Sequence, residues 1–305
     1  MTQKNTEKKS KFVSGNTDNA VFNKSAVRRN RNRAAAKFDN HDFLVKEITA
    51  RLIDNLQDIR KDFQHILSVH ADPDTINTHF KNSFVIHQDL SAKMLKHKTG
   101  MLINAEEEFF PLKNQCLDLI ISCLSLHWAN DLPGVFIQFL RSLMPDGLFL
   151  GALFGGETLK ELRQAMIRAE MEIRGGISPH ISPFPDVRDA GALLQRAGFA
   201  LPVVSTEKIT VTYQDALSLM KDLKAMGEQN SLIKRFKGLT RPELMMRAAE
   251  IYQQDYANDE GRINATFEIL YLQGWAPHEN QQKPLKPGSA KMSLKDALGT
   301  KPPKS

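Results

Sequence analysis

The sequence predicts an α/β domain with a mostly parallel sheet and an antiparallel pair of strands near the C-terminal end of the domain. Five short, nearly continuous apolar runs are separated by segments long enough for crossover helices, which is typical of strands buried on both faces. Helix signals follow these runs. Two later runs alternate between apolar and polar residues, as strands at a sheet edge do.

The strands are expected at seven places along the chain. The five parallel strands and the two late strands are predicted at His65–Ala71, Ser83–Gln88, Gly100–Asn104, Leu117–Ser122, Gly147–Leu153, Val203–Thr212 and Ala265–Trp275. Pro145, Asp146 and Gly147 predict a turn before the fifth strand. This order matches a doubly wound sheet with a reversed hairpin.

Two helices are expected before the first strand. The basic segment Val21–Lys37 could become helical against a partner or against the domain. Phe43–Ile59 carries apolar residues at four-residue steps, which indicates an amphipathic helix packed on a core.

Later helices are indicated by their ends. Capping boxes are predicted at Thr158–Glu161 and Thr240–Glu243. Segments Asp186–Ala197 and Asp215–Met226 are each followed by a glycine, as expected at a helix C-terminus.

Composition bounds the domain and its partners. The 305 residues are 41% hydrophobic and 25% charged, which is ordinary for a globular protein. Residues 1–37 carry a net charge of +8 and residues 283–305 carry +5, so the residues between them carry −7. We expect disordered basic tails at 1–20 and 283–305 and one domain with an N-terminal helical extension at 21–282. Basic residues confined to tails indicate no specific nucleic-acid partner.

Several classes of protein are disfavoured. No apolar run approaches 18 residues, so no transmembrane helix is expected, and the N-terminus lacks the apolar core of a signal peptide. Cys116 and Cys123 are too few for a disulfide framework or a zinc site. A reducing compartment is therefore expected.

The loop after the first strand, His70–Thr75, contains no glycine. Its Cβ atoms and Pro73 restrict the close approach of a ligand to the backbone. Asp72 and Asp74 could cap the next helix, and Asp72 is also a candidate cofactor ligand. His70 and Asp72 form a His-x-Asp pair of the kind that binds iron, but with no evident third ligand we predict no metal site.

Acidic residues follow the next two strands. Asp89, after the second strand, could accept hydrogen bonds from ribose hydroxyls or cap the following helix. Glu106 and Glu107, after the third strand, could receive an adenine amino group or form a solvated acidic turn. All are candidate ligands of a nucleoside cofactor.

Candidate catalytic and substrate-binding residues follow the fourth and fifth strands. His127 could act as a base and Trp128 could wall a pocket, or the histidine could be structural. Gly155 and Gly156 follow the fifth strand and give backbone freedom at the same edge of the sheet. The loop that holds Ser178 and His180 could be a substrate lid or a stiff connection.

Four long motifs carry a resemblance to a known family. The segments LDLIISCLSLHWANDLP, PDGLFLGALFGGETLKELR, GGISPHISPF and LLQRAGF resemble the mitochondrial complex I assembly factor family of class I S-adenosylmethionine-dependent methyltransferase fold. Similarity runs from about Val21 to Trp275 and is dense from Leu117 to Phe199. The family is regarded as an arginine hydroxylase that acts on a complex I subunit. Its bacterial relatives are usually labelled methyltransferases and also look like the malonyl-acyl-carrier-protein methyltransferase of biotin synthesis.

The resemblance implies a Rossmann-like fold, an S-adenosyl-L-methionine site and a respiratory complex I partner. It assigns the strand-two acid to Asp89 and the acidic turn to Glu106 and Glu107. The remaining family motifs fall on His127, Trp128, Gly155, Gly156, Ser178, Pro179 and His180. The first motif, a glycine loop in the family, is replaced here by Ser68–Asp72. The implied location is cytoplasmic or peripheral at the inner membrane, or mitochondrial in a eukaryote.

Three functions remain open at this point. The chain could be a methyltransferase in which His127 removes the acceptor proton, because such enzymes mainly position the reactants. It could hydroxylate a protein arginine, which usually calls for a metal or organic cofactor. It could also be a non-catalytic member that keeps the fold as a binding surface, and the glycine-free loop favours that alternative. We expect the family role, complex I assembly, through modification of a protein or small-molecule acceptor.

Overall fold

A computed structural model describes residues 20–96, 98–238 and 240–282. The tails predicted at 1–20 and 283–305 lie outside these residues, apart from Ala20. Among the described residues, seven strands form one sheet in the order β3-β2-β1-β4-β5-β7-β6. Strands β1 to β5 pair in parallel, while β7 is antiparallel to both β5 and β6. The predicted fold class is confirmed.

The strands lie close to the predicted runs. Their bounds are β1 His65–Val69, β2 Phe84–Asp89, β3 Met101–Asn104, β4 Leu117–Cys123, β5 Leu143–Phe154, β6 Ala200–Tyr213 and β7 Ile263–Trp275. The predicted turn at Pro145–Gly147 is wrong, because β5 already begins at Leu143. Asp146 instead has a left-handed φ of 62°, and the pairing of β4 with β5 shifts between Leu117 and Leu119.

The helices connect these strands. Their bounds are α1 Lys24–Ala34, α2 Phe43–Asp54, α3 Pro73–His79, α4 Ala92–Leu95, α5 Leu132–Ser142, α6 Lys160–Arg174, α7 Val187–Ala197, α8 Ala216–Met226 and α9 Pro242–Tyr256. Helices α7 and α8 begin and end as predicted, with Asp186 and Asp215 as N-caps and Gly198 and Gly227 as left-handed C-caps. No described helix is long and apolar enough to cross a bilayer.

Both predicted capping boxes are wrong. The Thr158 hydroxyl donates to the carbonyl of Glu268 in β7 at 3.0 Å, and Glu161 accepts from the Thr266 hydroxyl at 2.5 Å. Both side chains therefore bind α6 to the neighbouring strand. Helix α9 begins at Pro242 after Arg241, which makes no side-chain capping bond. In both cases a motif that suits a cap does not form one.

The core lies on the two faces of the sheet. On one face, α2, α6, α8 and α9 pack through residues such as Leu52, Leu219 and Tyr252. On the other face, α5 and α7 pack against the strands through Phe136 and Leu194. Burial of large apolar side chains on both faces fixes the strand ends, so the loops that follow β1, β2, β4 and β5 meet on one edge.

Candidate functional site

The loop after β1 is shaped by side chains. His70 directly follows β1 and has a left-handed φ of 55°, and Asp72 caps α3 by accepting from the Thr75 amide at 2.8 Å. The capping interpretation of Asp72 is confirmed, and Asp74 lies in the first turn of the same helix. The Thr49 hydroxyl accepts from the Asp72 amide at 3.0 Å. The loop is therefore held by its own hydrogen bonds.

Asp89 ends β2 at the same edge, and its carboxylate is bonded on both oxygens. Oδ2 accepts from Arg31 Nη2 at 2.7 Å and lies 3.2 Å from His70 Nδ1. Oδ1 accepts from the Ser91 amide at 2.7 Å. Arg31 also contacts the His70 ring. The side chains of Arg31 and Asp89 are 3% and 0% exposed, so this ion pair is fully buried.

The ionisation of this cluster follows from burial and from Arg31. Burial alone raises the pKa of Asp89, but Arg31 and then His70 outweigh it and hold that pKa well below its usual range. Burial, reinforced by Arg31, lowers the pKa of His70 to about 4. Asp89 is thus ionised and His70 neutral at pH 7.

Helix α1 covers the acidic turn that follows β3. Arg28 Nη2 lies 2.5 Å from Glu106 Oε1. Lys24 Nζ lies 3.1 Å from Glu108 and 3.9 Å from Glu107. Lys24, Arg28 and Arg31 recur at steps of four and three residues, which places them on one face of the helix. That face meets the α1-facing acids, the name used below for Asp89, Glu106, Glu107 and Glu108.

A cavity of about 350 Å³ remains beside Asp89. Its ionisable lining residues are Asp39, Asp42, Asp72, Asp74, Asp89, Lys46, Lys93, Lys98 and His70. Burial lowers the pKa of Lys98, although Asp89 opposes this. The cavity therefore contains both signs of charge.

The residues at this edge do not fit an adenosyl group. A ribose would need access to Asp89, but this side chain is 0% exposed and both of its oxygens already accept hydrogen bonds from protein groups. Glu106 is paired with Arg28, and the His70 ring fills the position next to Asp89 where the fold usually supplies a glycine loop. Asp72 and Asp89 line the same cavity, while Glu106 and Glu107 face helix α1; the binding of a cofactor by these four residues stays a prediction.

His127 and Trp128 lie in a 3₁₀ turn after β4 and share one carboxylate. His127 Nε2 and Trp128 Nε1 each lie 3.1 Å from Glu228 Oε2, just beyond α8. Burial raises the pKa of Glu228, but His127 and, more weakly, Arg31 outweigh it, so that the pKa lies below its ordinary value. Glu228 is ionised at pH 7.

A second cavity, the Trp128 cavity, opens beside Glu228. It has a volume of about 40 Å³, and its walls include Trp128, Phe154, Phe184 and His180. No lysine or arginine of the described residues lines it. The His127 side chain is 0% exposed and lies behind Glu228, so it positions this carboxylate. Catalysis by His127 itself stays a prediction.

The predicted Ser-Pro-His loop is anchored on Glu170 of α6. The Ser178 hydroxyl donates to Glu170 Oε1 at 2.6 Å, and His180 Nε2 lies 3.1 Å from Oε2. Asn230 Nδ2 donates to the Pro179 carbonyl at 2.8 Å. This loop forms one wall of the Trp128 cavity. Substrate binding by Ser178, His180 and Trp128 stays a prediction.

The paired glycines after β5 lie beside β7. The Gly155 amide donates to the Glu268 carbonyl at 2.8 Å, and a Cβ at Gly155 would lie 2.6 Å from the Glu268 carboxylate. Gly156 has open space around it. Gly155 therefore permits a close approach of β7, and the predicted role of both glycines in substrate binding is untested.

The start of α1 is bonded to the loop after β4. Asn130 Oδ1 accepts from the amides of Val21 and Phe22 at 2.9 and 2.8 Å. The Phe22 and Trp128 rings meet edge to face, with centroids 5.3 Å apart. The N-terminal extension therefore contacts the wall of the Trp128 cavity as well as the α1-facing acids.

Sequence reasoning missed three of these residues. Arg31 was seen only as part of a basic run, and Glu170 and Glu228 carry no motif of their own. Within the described residues no group of three His, Cys, Asp or Glu side chains is arranged to hold a metal ion.

Comparison with known proteins agrees with this fold. A family model described as a methyltransferase domain matches residues 75–151. Arginine-hydroxylase NDUFAF5, mitochondrial, from Danio rerio is 40% identical over 286 residues, which cover 90% of this chain and 89% of that protein. The chain belongs to the NDUFAF5 family.

A more distant relationship extends beyond the NDUFAF5 family. Malonyl-[acyl-carrier protein] O-methyltransferase from Laribacter hongkongensis is 32% identical over 89% of this chain and 96% of its own length. A solved structure of a Haemonchus contortus N-methyltransferase has a TM-score of 0.50 at 12% identity, over 83% of this chain and 60% of that one. That likeness concerns the fold alone.

Proposed function

We propose that this chain hydroxylates an arginine side chain of a protein partner during assembly of respiratory complex I. The proposal takes its reaction from the NDUFAF5 relatives, which are named arginine hydroxylases. The observation that carries it is the ionised Glu228 beside a cavity with aromatic walls. A carboxylate and aromatic faces together suit a guanidinium ion.

The two cavities differ in how well they suit a cation. Lys46, Lys93 and Lys98 line the cavity beside Asp89 together with its carboxylates, and the Asp89 carboxylate there is already paired with Arg31. The Trp128 cavity has no such lysine among the described residues and has Glu228 at its edge. Its volume of about 40 Å³ is close to that of a single water, so an arginine enters only when the loop around Ser178 and His180 moves outward.

The reaction replaces a C–H bond of the arginine with a C–O bond. One atom of dioxygen enters the product and the other leaves as water, with two electrons and two protons from an external reductant, and activation of the dioxygen would need a metal or organic cofactor besides the residues of this chain. The chain would bind the guanidinium at Glu228, while His127 and Trp128 hold that carboxylate in place. The aromatic walls would exclude water from the side chain.

Methyl transfer is the weaker alternative for this chain. S-Adenosyl-L-methionine is the cofactor that the fold predicts, but Asp89 is already bonded on both oxygens. A malonyl acceptor, as in the biotin-pathway relatives, is an anion that Glu228 would repel. A location at the inner membrane, or in the mitochondrion of a eukaryote, follows from the proposed partner.

The proposal is tested in cells that lack this chain. Mass spectrometry of complex I subunits should find an arginine peptide with one additional oxygen when the wild-type chain is supplied. We expect Glu228→Gln to abolish this peptide. The matched control is Glu172→Gln, which changes an exposed acid on α6 and should preserve it.

Two outcomes would contradict hydroxylation. Growth that requires biotin in the absence of the chain, with unmodified complex I arginines, would support the malonyl-carrier alternative. Normal complex I assembly with the wild-type chain, without any arginine oxidation, would support the non-catalytic alternative, which the bonded state of Asp89 also favours.

A further inference from the structure

Helix α1 makes contacts that go beyond those of a surface helix. Its basic face reaches each of the α1-facing acids, and among them are the three that the fold would use for a nucleoside cofactor: Asp89, Glu106 and Glu107. The most deeply buried of these pairs is Arg31 with Asp89, whose charged atoms lie 2.7 Å apart.

We infer that α1 is a built-in occupant of the nucleoside site, so that the α1-facing acids stabilise this fold and do not bind an adenosyl cofactor. Arg31 supplies to Asp89 Oδ2 a hydrogen bond of the kind that a ribose hydroxyl would supply. Arg28 pairs with Glu106 and Lys24 lies 3.9 Å from Glu107, the two acids that would otherwise face an adenine.

Packing argues that this occupation is a fixed part of the fold. Ala26, Val27 and Ala34 of α1 are buried, and the Asn30 side chain donates to the Ser231 hydroxyl at 3.1 Å. The preceding Asn23 caps the helix and donates through its amide to the Ser231 carbonyl. Lifting α1 would expose this apolar surface and leave Asp89 buried without a cation, which is costly.

The loop after β1 is consistent with this occupation. In this chain the loop carries the His70 ring, which contacts both Arg31 and Asp89. A glycine loop would leave that space to a ligand, because it has no side chain to fill it. The replacement of the glycine loop and the insertion of Arg31 therefore both fill the space beside Asp89.

The first experiment is calorimetric titration of the full chain with S-adenosylmethionine and with adenosine. We expect no binding up to about 1 mM, well above the range typical of a cofactor site. Binding with a micromolar Kd would overturn the inference.

The second experiment follows amide hydrogen exchange in α1 without any ligand. Arg28→Gln with Arg31→Gln should speed exchange in α1 by about tenfold or more, because the helix then opens locally. The matched control is Arg29→Gln with Arg33→Gln, which removes the same charge from exposed positions on the same helix and should change exchange little.

A third variant covers the case in which the double change prevents folding. Arg31→Lys keeps the charge at Asp89 and should retain most of the protection of α1. Equal exchange in all variants would show that the ion pairs do not hold α1, which would overturn the inference. Arginine oxidation in complex I does not enter either measurement, so failure of the proposed function and failure of this inference give different results.

Discussion

The two ends of the candidate site use carboxylates in opposite ways. At the β1–β2 end, Asp89 is paired with an internal guanidinium, that of Arg31, and both are sealed from solvent. At the β4–β5 end, Glu228 is held by His127 and the Trp128 indole, and beside it lies a cavity without a described lysine or arginine. At the first end the carboxylate already has an internal guanidinium, and at the second we propose that a partner supplies one.

The largest expected effect on stability comes from removing the ion pair of Arg31 and Asp89 at the β1–β2 end. Arg31→Met removes one partner of a buried ion pair and should lower the free energy of unfolding by about 3–5 kcal/mol, because Asp89 is left buried and uncompensated. Urea denaturation measures this. Arg29→Met, at an exposed position of the same helix, is the control. A loss below about 1 kcal/mol would mean that Asp89 has another partner.

The pH dependence of stability should show the effect of the buried His70 at the β1–β2 end. An unfolded histidine with a pKa near 6.5 binds a proton at a pH where folded His70, with a pKa of about 4, does not. Stability should therefore fall as pH drops from about 6.5 to about 4, by about 3 kcal/mol from this group. His70→Asn should flatten the slope in denaturation curves taken across this range.

Part of that slope should remain, because burial also lowers the pKa of His87 to about 4. The control is His79→Asn on the exposed face of α3, which should leave the slope unchanged. An identical slope for wild type and His70→Asn would contradict the buried, neutral state of His70.

A smaller effect is expected at the open end. Glu228→Gln keeps the shape of the side chain but weakens its charge-assisted bonds to His127 and Trp128, and it should cost about 1–2 kcal/mol in urea denaturation. Glu172→Gln is again the control. A loss of stability equal to that of Arg31→Met would mean that Glu228 contributes as much to the fold as the ion pair of Arg31 and Asp89.

The smallest effect is expected at the rim of α1. The Arg28 side chain is 47% exposed, so Arg28→Gln should cost at most about 1 kcal/mol despite its contact with Glu106. The difference from wild type should shrink further in high salt, because salt screens exposed pairs. Denaturation at two salt concentrations checks this, and a salt-independent cost would indicate that the pair is buried.

Local patterns predicted most of the fold. Continuous apolar runs placed β1 to β4 within a few residues, because buried parallel strands need apolar side chains on both faces. The start of β5 was missed because Pro145–Gly147 has turn composition; the strand already pairs with β4 at Leu143, and this pairing resumes only at Leu148. The Thr158 box failed because the hydroxyl finds a better partner on β7.

The candidate site was only half predictable. Strand order placed Asp89, Glu106 and His127 at one edge, since parallel strands end together. Their partners are distant in sequence: Arg31 is 58 residues from Asp89, and Glu228 is 101 residues from His127. No local pattern encodes such pairs, because they depend on how α1 and α8 pack on the finished sheet.

The hydrogen bonds between Asn130 and the amides of Val21 and Phe22 connect the two ends of the site through the same N-terminal segment. Cleavage of the chain just before α1, or a partner that binds residues 21–23, would affect both the β1–β2 end and the β4–β5 end of the site. Release of the N-terminal segment would withdraw the Phe22 ring from the Trp128 indole at the same moment as it loosened the cover over Asp89. A molecule that binds the first residues of the domain would therefore also affect the Trp128 cavity, where the arginine is proposed to enter.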